Sequence, residues 1–176
     1  MSTKPAHVTG SGAQTGNVIR DSMMGLVPGT VDEIIALNGH VWRESLVSPA
    51  LLEILRLRNA RTVNCVFCKS VRYDVAKADG LTEDRVQLIA EGYEDSELAP
   101  REKAAIALAD AYLGFPAGMD ADAAGRVADQ FDDDEIASMM VALMTYNFTS
   151  RAAVSNGGMP EDALPIMEMS VSAAAG

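Results

Sequence analysis

Cysteine and histidine are scarce: two of each in 176 residues. So few cysteines exclude a disulfide framework, and a chain this long does not need one, since a single domain of its size buries roughly 70% of the surface that its unfolded form exposes. A closed zinc site takes four nitrogen or sulfur ligands. Beyond Cys65 and Cys68 the chain offers only His7, in a polar N-terminal stretch, and His40, on the first expected helix, so no metal centre is expected. Basic residues are also few, 14 against 25 acidic ones, for a net charge of −11. That balance argues against nucleic acid or an anionic membrane surface as partner, because both need a basic face. No segment approaches the roughly 18 uncharged apolar residues of a membrane span, and MSTKPAHVTGSGAQTG has no continuous apolar core of a signal peptide. A cytoplasmic location is expected. Strand-like alternation, a glycine-rich phosphate loop and internal repeats are likewise missing, and aromatic residues make up only 5%.

What remains is alanine, methionine and helical spacing, so the expected fold class is all-α. Residues 1–20 read as a flexible tail, 21–160 as the helical domain and 161–176 as a C-terminal tail placed to pack on a neighbouring subunit. Expected helices run from Thr30 or Val31 to Arg43; from Pro49 with Ser48 as cap; from Asn64 or Cys65 to a stop at Gly80; and from Thr82 to near Gly92. Three more follow: one with Pro100 in its first turn, one over 119–131, and FDDDEIASMMVALMTYNFTSR, which opens with aspartates where the helix dipole favours negative charge. On this last helix Ile136, Met139, Met140, Leu143 and Met144 recur at helical spacing and read as core rather than a cofactor box.

The stretch NCVFCKSVR holds both cysteines. In a reducing compartment a C-x-x-C pair is more often redox-active or metal-binding than structural. Closing so small a loop stabilises a fold by at most about 2 kcal/mol. If Cys65 opens a helix that continues to Gly80, then Cys65, Cys68 and Arg72 share one face within roughly 60°. The helix dipole and the guanidinium would then both favour thiolate over thiol. Two inert core cysteines and a solvated Arg72 are the alternatives that the residues leave open.

The run LLEILRLRNARTVNCVFCKSVRYDVAKADGLTEDRV, with Glu53 twelve residues before Cys65, resembles the core of the carboxymuconolactone decarboxylase family, in particular its alkylhydroperoxidase (AhpD)-like branch. YEDSELAPREKAAIALADAYL and YNFTSRAAVSNGGMPED continue the likeness, which covers about residues 30–160. The resemblance implies an AhpD-like helical bundle that assembles into trimers or hexamers, with no cofactor. It also implies a peroxidase-type mechanism in which Cys68 is the nucleophile, Cys65 the resolving thiol and Glu53 a proton relay. The family's relay histidine falls at Arg72, and a guanidinium stays protonated and shuttles no proton. Arg72 is therefore carried as a candidate for holding a thiolate, Glu53 or an anionic group of the substrate.

The expected activity is a C-x-x-C-dependent peroxidase or disulfide-exchange enzyme, with a small-molecule oxidant or substrate and an external dithiol reductant as partners. The alternatives are a lyase or decarboxylase that holds a small carboxylated ring compound with Arg72, Arg58 or Arg151, and an oligomeric binding protein without turnover.

Overall fold

The computed structural model describes residues 8, 10–157 and 159–171. His7, much of the first ten residues of the expected N-terminal tail, and residues 172–176 of the C-terminal one lie outside them. Helix α1 (Val18–Asp21) is capped by Asn17, and the Asp21 carboxylate accepts the Thr15 N–H and hydroxyl and the Gly16 N–H, closing a turn over 15–21.

Proline and short polar caps start the longer helices where the sequence places them. Helices α2 (Pro28–Glu44), α3 (Pro49–Thr62) and α7 (Pro100–Leu113) open on proline, whose missing N–H costs nothing in a first turn. Ser48 caps α3 and Asp120 caps α8 (Ala121–Ala128). Asp132 and Glu135 form a reciprocal capping box on α9 (Asp133–Asn156).

Helix α3 is the centre of the molecule. Every residue from Leu51 to Ala60 is buried, because α7 and α9 pack along it and further short helices close over it, while α2 lies on α9 and α8 on α7. Leu52, Ile54, Leu55 and Leu57 of α3 meet Ile106 of α7 and Met139 and Leu143 of α9 in one core. Each such side chain contributes about 1.5–3 kcal/mol by leaving water. Met144, expected in that core, is 56% exposed instead. It belongs with Ala137, Val141 and Phe148 to the opposite line of α9, which faces out.

The third expected helix is three elements, not one. Helix α4 (Val66–Ser70) stops, strand β1 (Val71–Tyr73) follows, and α5 (Asp74–Ala78) resumes. β1 pairs in parallel with β2 (Met167–Met169), Val71 opposite Met167 and Tyr73 opposite Met169. Two causes combine here. Valine and tyrosine suit a pleated, half-buried surface. In addition, the Cys68 carbonyl, which a continuous helix would give to the Arg72 N–H, accepts from the Arg56 guanidinium at 2.7 Å. The fourth expected helix is also shorter, α6 (Glu83–Gln87), with Thr82 as its cap. Among the described residues no helix is long and apolar enough to cross a membrane.

Candidate functional site

Between α3 and α4 the chain turns through Asn64, whose φ of 58° lies in the left-handed region that asparagine tolerates better than most residues. The next residue, Cys65, is the N-cap of α4, with its sulfur accepting the Cys68 N–H at 3.2 Å. The two cysteines are joined as a disulfide. Cys65 is fully buried and Cys68 is partly open, so an incoming molecule reaches the second sulfur first.

Under this pair lies a buried ion pair. Arg56 donates to both oxygens of Glu53 at 2.7 Å, and its remaining donors reach the backbone oxygens of Cys68 at 2.7 Å and Val71 at 2.6 Å. Glu53 is 1% exposed and Arg56 7%. Burial by itself lowers the pKa of the Arg56 guanidinium, and the adjoining Glu53 carboxylate more than offsets this, so the guanidinium stays charged. Arg56 also lies over the Tyr73 ring, 5.5 Å from its centroid, and the Trp42 ring lies tilted against those of Tyr73 and Tyr146. Burial and the negative Glu53 push the Tyr146 phenol well above its ordinary range, and its Oη has no hydrogen-bond partner among the described residues.

On the other side of Cys68 stands α9. The Ser150 hydroxyl donates to Cys68 Sγ at 3.4 Å. Ser150 Oγ accepts from Asn59 Nδ2 at 3.1 Å, Asn59 Oδ1 from Asn147 Nδ2 at 2.8 Å, and Asn147 Oδ1 from Arg151 Nε at 2.9 Å. Asn59, Asn147 and Ser150 are buried, and Arg151 is exposed.

The model of the carboxymuconolactone decarboxylase family matches residues 28–111, the stretch that carries Glu53, Arg56, Asn59 and both cysteines. Over that stretch, just under half of its length, the chain is similar to this family. An uncharacterized protein of Mycobacterium tuberculosis is 35% identical over 118 residues, covering 66% of this chain and 41% of its own length. The chain therefore spans about two fifths of that relative. Uncharacterized protein YdfG of Bacillus subtilis is 22% identical over 116 residues, 65% of this chain and 79% of its own. A crystal structure from Agrobacterium tumefaciens, of a protein of unknown function described as a candidate antioxidant defence protein AhpD, superimposes with a TM-score of 0.66. It is 24% identical and covers 78% of this chain and 94% of its own. The fold is thus the AhpD-like helical one.

Within this family fold the four residues expected from the sequence separate. Cys65, Cys68 and Glu53 meet, the last through Arg56. Arg72 does not share a helix face with the cysteines. Its guanidinium donates to Glu83 at 2.7 and 3.1 Å and to the carbonyls of Lys69 and Val71, because the chain is already extended where the expected helix would have carried it round. Arg58 is turned away as well, bound to both oxygens of Asp110. With Arg61 it lines a pocket of about 500 Å³. A second pocket of about 540 Å³ lies between α4 and residues 159–166. Among the described residues no three of His, Cys, Asp and Glu group as metal ligands.

Arg56, Asn59, Asn147 and Ser150 were not singled out from the sequence. A signal was there for two of them: Arg56 stands between Leu55 and Leu57, and Asn147 between Tyr146 and Phe148, and polar residues in such surroundings are buried only with partners.

Proposed function

We propose that the protein is a thiol-dependent peroxidase of the antioxidant type, with Cys68 as nucleophile and Cys65 as resolving thiol. One observation carries this reading: two sulfurs within bonding reach, the outer partly open to solvent and held by a side-chain donor, the inner buried behind it. In the reduced protein the Cys68 thiolate attacks one oxygen of a hydroperoxide. The S–O bond forms, the O–O bond breaks, and the departing alkoxide takes a proton from water. The Cys65 thiol then displaces the oxygen of the Cys68 sulfenic acid as water, leaving the disulfide. An external dithiol, in a reducing compartment such as the cytoplasm, returns both thiols and is itself oxidised. Glu53 acts here through Arg56, which holds the carbonyls of Cys68 and Val71; with both its oxygens already accepting, Glu53 suits positioning better than proton transfer.

Titration of thiols in the reduced protein tests the reading. One equivalent of an organic hydroperoxide should remove two thiols per chain, and dithiothreitol should restore them. Cys65→Ser should react once and retain a sulfenic acid on Cys68, whereas Cys68→Ser should not consume peroxide. A sulfenate found on Cys65 in the Cys68→Ser protein would reverse the roles, and undiminished thiols would overturn the reading. In that case the pocket beside Arg58 and Arg61, where one buried Arg61 nitrogen has no partner among the described residues, would favour the lyase alternative, with a carboxylated compound as substrate.

The partner this reading adds is a second copy of the chain. Ala137, Val141, Met144 and Phe148 repeat at four, three and four residues along α9, and the last three are 48%, 56% and 46% exposed. This spacing lines one helix face for packing against another helix. Sedimentation at micromolar concentration should give a trimer or larger, and Met144→Glu should reduce it; a monomeric wild type would sink the proposal.

A further inference from the structure

Ser150 could in principle be turned either way at Cys68, presenting its hydrogen or its lone pairs to the sulfur. We infer that the direction is imposed from the surface by Arg151, through Asn147 and Asn59, so that Ser150 is an obligatory hydrogen-bond donor to Cys68 Sγ. The inference rests on the reading of Cys68 as nucleophile and names the groups that tune it.

Chemistry fixes the order of the four links. A guanidinium has donors and no acceptor, so Asn147 must present Oδ1 to Arg151 Nε. That leaves Asn147 Nδ2 for Asn59, which must answer with Oδ1 and so turns its own Nδ2 to Ser150. The Ser150 oxygen is then an acceptor on one side, and its hydrogen goes to Cys68. No link can be reversed without leaving two donors or two acceptors facing each other. Asn59 and Asn147 are 0% and 9% exposed and Ser150 is 3% exposed, so water offers little substitute at the inner links, and each bond polarises the next in the same sense. A donor held on sulfur favours thiolate over thiol. Ser150 touches the reacting atom; Asn59, Asn147 and Arg151 are positioning residues. The chain supplies from α9 the influence that the sequence alone suggested for Arg72.

The test is the pH profile of iodoacetamide alkylation at Cys68 in the fully reduced protein, read by mass spectrometry so that the two cysteines are distinguished. No peroxide is involved, so the result stands whether or not the protein turns peroxides over. Ser150→Ala should shift the profile upward by about one pH unit, a roughly tenfold fall in thiolate at pH below the pKa. Arg151→Lys, still a donor without an acceptor, should leave it in place. Arg151→Glu, an acceptor without a donor, should reverse every link and shift the profile as Ser150→Ala does. The deciding variant is Ser150→Ala with Arg151→Glu, which should shift no further than Ser150→Ala alone. An Arg151→Glu profile that superimposes on the wild type would overturn the inference. So would a second, additive shift in the double variant, since that is what a charge acting through space produces.

Discussion

Two arginines flank the cysteine helix, and they make an instructive pair. Arg72 is four residues from Cys68 in sequence, Arg56 twelve. Yet Arg56 has Nε and both terminal nitrogens bound under the site, to a carboxylate and to the backbone of Cys68 and Val71. Arg72 lies on the outer side, its side chain 13% exposed, and pairs with a glutamate whose side chain is 47% exposed. Proximity along the chain counts for little once the helix ends at Ser70. What decides the role of each is which side of β1 it occupies and how much water its partner keeps.

The largest effect follows from breaking the inner arginine. Arg56→Met leaves the Glu53 carboxylate charged and unpaired in the core and should cost about 3–5 kcal/mol. In a chain of this size that lowers Tm by roughly 10 °C, measured by calorimetry of the reduced protein. Replacing both partners, Glu53→Leu with Arg56→Met, should return most of that stability, because a buried pair is worth little against well-packed apolar side chains. The double variant sharpens the contrast further: it should be slow to alkylate at Cys68, since the Cys68 carbonyl then loses the guanidinium that holds it. A single variant as stable as the wild type would mean that solvent reaches Glu53.

The smallest effect belongs to the outer arginine. Arg72→Ala should cost about 1 kcal/mol, because its glutamate partner is half open to water, and the alkylation profile of Cys68 should stay where it is. A shift comparable to that of Ser150→Ala would erase the distinction between the two arginines and return Arg72 to the thiolate.

Helix existence, and most starts, were legible because caps and prolines act locally: Ser48, Pro49, Thr82, Pro100 and the aspartates before α9 mark their helices within a residue or two. The dithiol was legible in the sequence itself, and Glu53 through the resemblance to a known family. The break after Ser70 was not, since it depends on a guanidinium one helix away that takes the Cys68 carbonyl, and on a strand nearly a hundred residues later that pairs with β1. The donor chain at Cys68 was hidden for the same reason. Asn59 and Ser150 are 91 residues apart, and nothing local distinguishes them from asparagine and serine on a solvated face. Met144 shows the converse limit: methionines at helical spacing cover more than one side of a long helix, and periodicity alone does not say which side is inward.

The distance in sequence between Cys68 and Ser150, 82 residues, is also a distance in time. At about 5–20 residues per second of synthesis, the cysteines precede the helix that tunes them by roughly 4–16 s. During that interval Asn59 has no serine to orient and Cys68 has no donor, so the growing chain carries two ordinary thiols. On the proposed reading their reactivity would switch on only with the docking of α9, so that the unfinished chain is spared an activated sulfur.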